Sequence, residues 1–123
     1  PHSNGKLGAV GFCFGGYIVN YLAAVDAELL SAAVPFYGTP ASADLRKNSK
    51  APLLIHLAEQ DKRVNDSWPE YEQDLKANKV EYTMHMYKDA QHGFHNDSTA
   101  RYDKENAELA WQRTLAFFNK KLS

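Results

Sequence analysis

The stretch Leu7–Gly16, LGAVGFCFGG, sets the architecture of the chain. From Leu7 to Phe12 every residue is apolar or glycine, and three are small, as in a short strand covered on both faces. Gly15-Gly16 then breaks the run, and Tyr17, Tyr21, Ala24 and Val25 recur at helical spacing. The pattern predicts a strand over 7–12 and a helix over about 15–26. At the joint stands G-x-C-x-G-G, from Gly11 through Cys13 to Gly15 and Gly16. A turn this tight strains the central residue's backbone and requires small neighbours two residues to either side. It lifts the side chain at position 13 clear of the sheet, at the N-terminal end of the following helix, whose positive dipole end favours a thiolate. The N–H of Phe14 would then be one donor to an oxyanion formed at that point.

Three further strands follow the same logic. Residues 31–37 (SAAVPFY) and 52–58 (PLLIHLA) are short apolar runs, Pro35 weakening the first near its end. Residues 80–87 alternate more, as a sheet edge does. A helix is predicted over about 67–78, with Asp66 as cap candidate, an early Pro69, and Trp68, Tyr71 and Leu75 on its inner face. A last helix over about 100–122 carries Ala107, Ala110, Trp111, Leu115 and Phe118 as its apolar stripe. Residues 41–50 hold at most a short helix, 59–66 are polar, and 88–99 form a loop. Strands alternating with helices predict an α/β fold with four parallel strands and right-handed crossovers.

With 123 residues the chain reads as one domain over 1–123. Fourteen Lys+Arg against 15 Asp+Glu leave no basic excess for nucleic acid. The apolar runs fall far short of the roughly 20 residues that span a bilayer, so no membrane partner is expected. PHSNGKLGAVG shows no charged segment followed by an apolar one, hence no secretory signal is expected. One cysteine forms no intrachain disulfide, and the expected compartment is the cytoplasm.

A lone cysteine is most often a small buried hydrophobe. The flanking glycines and the strand-to-helix setting favour a functional thiol at Cys13. Asp61 follows the strand at 52–58, at the carboxyl end where α/β sheets gather their catalytic groups. On position alone it could equally be a turn aspartate, and Glu59 and Asp66 compete with it. His92 lies in the loop after the fourth strand, again at a carboxyl end, with His95 as its rival. The order nucleophile, acid, histidine is the one α/β-hydrolases use. His56 and His85 read as structural strand residues, and His2 as part of a frayed terminus. No histidine spacing suits a metal, and a lone cysteine gives no zinc cluster, so no metal site is expected.

LGAVGFCFGG (7–16), AVPFYG (33–38), PLLIHLAEQD (52–61), YKDAQHGFHND (87–97) and AELAWQRTLAFF (107–118) together closely resemble the C-terminal half of dienelactone hydrolase (carboxymethylenebutenolidase) family proteins. The stretches occur in family order, and the cysteine within G-F-C-F-G-G is the most specific of the matches. The resemblance implies half of an α/β-hydrolase fold, with Cys13 as nucleophile, Asp61 as acid and His92 as base. It implies hydrolysis of a small ester or lactone through a thiol-acyl intermediate, without a cofactor. The family's archetype acts on dienelactones from chlorocatechol breakdown. Four residues after the histidine it has an arginine that helps hold the substrate carboxylate, whereas this chain has Asn96, with Arg101 the nearest downstream cation.

The resemblance begins at the nucleophile strand, so it does not extend to the family's earlier strands, second oxyanion donor, thiol-modulating glutamate or substrate-contacting arginine. The outer edge of strand 7–12 would then lie unpaired, an association hazard. A homodimer, or a complex with a missing N-terminal half, is therefore expected. Three functions compete: a Cys13–His92–Asp61 hydrolase, weak or inactive as an isolated half; a non-catalytic fragment or scaffold; and a thiol redox sensor, which lacks a resolving cysteine.

Overall fold

The structure is a computed structural model that describes residues 6–25, 30–46 and 50–123. His2 and the predicted helix end at residue 26 lie outside the described residues. The elements run β1 (Gly8–Phe12), α1 (Phe14–Val25), β2 (Ala32–Phe36), α2 (Ala43–Arg46), β3 (Leu53–Ala58), α3 (Lys62–Asn65), α4 (Trp68–Ala77), β4 (Tyr82–Tyr87) and α5 (Lys104–Leu122). The four strands form one parallel sheet in the order β1-β2-β3-β4. No helix among the described residues is long and apolar enough to cross a membrane.

Alternation in the central strands builds two cores. Leu53, Ile55 and Leu57 of β3 face one side, where Val19 and Ala23 of α1 and Trp68, Tyr71 and Leu75 of α4 cover them. Leu54 and Ala58 face the other, against Ala107 and Ala110 of α5. Both faces of β2 and β3 are thus buried, which is why these strands read as continuous apolar runs. Among the described residues β4 pairs with β3 alone, and it is partly exposed, in keeping with its alternating sequence.

Several local readings differ from the structure. β2 continues through Pro35, which lies opposite Gly11; its β3 pairing is registered at Ala33↔Leu53 and Phe36↔His56, on either side of the residue that has no N–H. The polar stretch 59–66 contains the one-turn helix α3, of which Asp66 is the C-cap, and Ser67 precedes α4. The last helix begins at Lys104, because the Asp103 carboxylate accepts the Asn106 N–H and caps it there. Its buried residues are Ala107, Ala110 and Thr114, while Trp111 and Leu115 are exposed. On α1 the buried face carries Val19, Asn20 and Ala23, leaving Ile18, Tyr21 and Val25 exposed. β1 has no second strand partner among the described residues, and Val10 at its middle is 37% exposed.

Candidate active site

Cys13 is the single residue between β1 and α1, and its φ of 55° carries the chain through the left-handed region. Its N–H donates to Phe36 O at 3.1 Å, and its carbonyl accepts the Tyr17 N–H, the first turn of α1. The bend is possible because backbones touch. A Cβ on Gly11 would stand 2.2 Å from Gly15 O, and one on Gly16 would stand 2.7 Å from Phe36 O. Gly15 itself faces open space, so crowding at this joint falls on positions 11 and 16. As the first residue of α1, Phe14 has no intrahelical acceptor for its N–H.

Asp61 is 8% exposed and sits between the end of β3 and α3. Its N–H donates to Ala58 O, its carbonyl accepts the Asn65 N–H, and the Asn65 amide donates back to Ala58 O at 2.7 Å. This small knot fixes the carboxylate's direction. The His92 loop is tied to the same strand end, since Glu59 N–H donates to Tyr87 O and Gln60 N–H to Ala90 O. Gly93, at φ 85°, turns the chain after His92, and Phe94 buries itself among the rings of Phe36, Tyr37 and Tyr87. The outcome is a hydrogen bond between His92 Nδ1 and Asp61 Oδ2.

His95 has a different role. Its ring packs on Phe12 (5.0 Å between centroids), Phe36 (5.1 Å) and Trp111 (5.5 Å). Burial lowers its pKa, with the Asp97 charge opposing. His56 is fully buried, bonded through Nδ1 to Tyr87 Oη (2.7 Å) and through Nε2 to Thr114 Oγ1 (3.0 Å), a structural histidine.

Cys13 opens onto two concavities. One, of about 270 Å³, is shared with His92, Tyr17, Tyr37, Thr39 and Arg63. The other, of about 240 Å³, is lined by Phe12, Tyr37, His95 and Asn96 as well as Cys13. A third, of about 340 Å³, lies beyond His95 against α5 and includes none of Cys13, Asp61 and His92. Among the described residues no hydrogen bond joins the Cys13 thiol to the His92 ring; the two share a wall.

The electrostatics differ from the thiolate expected at a helix start. Burial pushes the Cys13 thiol up; Arg101 opposes this and the Asp61 charge adds to it. Burial and the Asp61 charge thus favour the protonated thiol over the thiolate. Tyr37, almost fully buried and at φ 40°, lines both concavities, and burial and then the nearby Cys13 raise its pKa. Tyr37 and Arg63 were not singled out from the sequence. Only the strained backbone of Tyr37 sets it apart, and that is a property of the fold.

Residues 1–122 match the model of the dienelactone hydrolase family. The chain belongs to that family. It is 36% identical over 121 residues to Protein usf of Aquifex pyrophilus, covering 96% of this chain and 52% of that protein. It is 35% identical over 120 residues to the carboxymethylenebutenolidase of Pseudomonas putida, covering 95% and 50% respectively. Among solved structures, a candidate dienelactone hydrolase from Klebsiella pneumoniae superposes with a TM-score of 0.85 at 31% identity, covering 94% of this chain and 52% of that one. This member of the dienelactone hydrolase family thus spans about half the length of the curated relatives it matches.

Proposed function

We propose that the chain carries the nucleophile, acid and base of a dienelactone-hydrolase-like ester or lactone hydrolase, within a single partial α/β-hydrolase domain. The observation that carries this reading is the Asp61–His92 hydrogen bond formed at the wall of the concavity that also holds Cys13. Asp61 accepts the Nδ1–H hydrogen bond and leaves Nε2 as the basic nitrogen for the thiol in the shared concavity.

The chemistry follows from that tautomer. His92 Nε2 accepts the thiol proton as Cys13 Sγ bonds to the ester carbonyl carbon, and the carbonyl oxygen becomes an oxyanion held by the Phe14 N–H. The carbon–oxygen bond to the leaving group breaks, and His92 returns the proton to the departing alkoxide. Water, deprotonated by His92, then attacks the thioester; the acid leaves and the thiol is restored. A raised thiol pKa suits this sequence, because the proton moves only as the bond forms.

The open edge of β1 favours a second element of the reading. Val10 on the strand, Ile18, Tyr21 and Val25 on α1, and Leu115 on α5 are exposed apolar side chains. We infer that this edge takes up an α/β unit equivalent to the half of the relatives outside the match, which would add the second oxyanion donor. Without that donor, turnover falls by about 10² to 10³.

Burst release from a 4-nitrophenyl ester, with mass spectrometry of the acylated protein, tests the proposal. One acyl group on Cys13, absent in Cys13→Ala and slowed in His92→Ala, supports it. Absence of acylation, with or without an added complementing half, rejects it and favours a non-catalytic scaffold.

A further inference from the structure

Tyr37 stands at φ 40°, in the left-handed region that a bulky side chain rarely occupies. Three hydrogen bonds on it and the next two residues hold it there. Its N–H donates to His56 O at 2.7 Å, the Trp68 indole donates to Gly38 O at 3.2 Å, and the Asn20 amide donates to Thr39 O at 2.9 Å. A strained conformation fixed from three elements marks a position where the direction of the side chain matters.

Tyr37 is 1% exposed, yet among the described residues it is the only one that shares both concavities with Cys13. Its ring is wedged edge-on to Phe94 at 5.3 Å and tilted against His92 at 5.0 Å between centroids, which leaves the phenol little freedom. The phenol oxygen accepts the His95 backbone N–H, and among the described residues no acceptor takes its own proton. A buried phenol without an acceptor is rare, because its O–H forfeits a bond it had in water. Burial, and after it the charge at Cys13, keeps this phenol protonated, so toward the cavity it is a donor.

Resting on the reading of Cys13 as nucleophile, we propose that Tyr37 is a catalytic residue whose phenolic O–H donates a hydrogen bond to the Cys13 sulfur as His92 takes the thiol proton. No bond to Tyr37 forms or breaks: the thiol proton moves to His92 Nε2, and the phenolic proton stays on its oxygen. The hydrogen bond strengthens as the sulfur becomes anionic, so it offsets part of the desolvation and of the Asp61 repulsion that favour the thiol. The other titratable or charged groups bearing on the sulfur are His92, Tyr17 and Arg63 in one concavity, His95 in the other, and Arg101 and Asp61 through their charges. Of these Arg101 acts with Tyr37 in favouring the thiolate, and Asp61 acts against it.

Rates of Cys13 alkylation by iodoacetamide, followed by mass spectrometry between pH 7 and 11, read this bond without requiring turnover. Tyr37→Phe keeps the ring and removes the donor. Its rate at pH 7.5 should fall about tenfold, as the midpoint of the profile rises by about one pH unit. Loosened packing alone would wet the sulfur and lower the midpoint, so a midpoint that is unchanged or lower overturns the proposal. 3-Fluorotyrosine at position 37, a stronger donor in the same ring, should lower the midpoint and keeps the test open if Tyr37→Phe folds poorly; an unchanged or higher midpoint there overturns the proposal. Acylation by 4-nitrophenyl acetate is measured on the same proteins. No acylation of the wild type, with the alkylation midpoints moving as stated, would reject the hydrolase reading alone and support the bond from Tyr37 to the sulfur.

Discussion

His92 and Asp61 are hydrogen-bonded although 31 residues separate them. The bond exists because β3 and β4 end level with each other, and two backbone bonds, Glu59 to Tyr87 and Gln60 to Ala90, lace the loops that follow them. The imidazole is therefore oriented with Nδ1 facing the carboxylate, and among the described residues Nε2 makes no hydrogen bond.

Asp61→Asn keeps the shape of the loop but offers an amide in place of the carboxylate. Acylation of Cys13 by a 4-nitrophenyl ester should slow by about 10³ to 10⁴, as when a triad loses its orienting acid. Stopped-flow burst kinetics measure it; a loss under tenfold would mean that the Asp61 bond does not serve catalysis.

Arg101 lowers the Cys13 pKa against the larger effect of burial. The midpoint of a pH profile of iodoacetamide alkylation should accordingly lie above the ordinary thiol value of 9.0. Arg101→Gln removes a cation that favours the thiolate, so the midpoint should move further up. A downward move would contradict the electrostatic account.

His56 is buried neutral, its pKa pushed down to about 3 chiefly by burial. The unfolded chain binds a proton there near 6.5 and the folded chain does not, so stability contributed by this site is complete above pH 6.5 and is lost as pH falls toward 3. The expected slope from one such group is at most about 1.4 kcal/mol per pH unit. Urea titrations at pH 7 and pH 5 should show the wild type weaker at pH 5. His56→Leu should be less stable at pH 7, because it leaves Tyr87 and Thr114 without their partner, but it should have a flatter pH dependence.

The two adjacent glycines of the elbow should behave oppositely. Gly16→Ala drives a Cβ to 2.7 Å from Phe36 O and 3.0 Å from Gly38 Cα, both backbone atoms, and should destabilise the chain by about 1–3 kcal/mol. Gly15→Ala meets nothing within 4 Å on a helix and should be neutral or stabilising by up to about 1 kcal/mol. Urea midpoints of the two variants decide it.

Val10→Lys tests the open edge. A charge on an unpaired strand blocks edge-to-edge pairing. Light scattering at micromolar concentration should show the wild-type chain associating and the variant shifted toward monomer. A monomeric wild type would rule out self-association through this edge.

The first strand, the elbow and the following helix were legible in LGAVGFCFGG because their causes are local: apolar runs, small residues where backbones touch, and helical spacing all lie within a few positions. The same holds for the four strands in order and the inner face of α4, where Trp68, Tyr71 and Leu75 are all buried. α3 was not legible, since a single turn has too few residues for a period. The exposure of Trp111 and Leu115 was not legible either, because an apolar stripe does not say how wide a sheet lies beneath it.

Position alone left Asp61 level with Glu59 and Asp66, and His92 level with His95, and only the tertiary structure separated them. Strand register and loop lacing bring Asp61 to His92, while the buried Phe94 holds His95 in an aromatic stack on Phe12 instead. Long-range geometry likewise brings Tyr37, just after β2, and Arg63, on α3, to the concavity at Cys13. Sequence by itself determined what bends and what is buried, because those depend on neighbours along the chain. Which charged groups meet is set by distances across the sheet, and these exist only once the strands have paired.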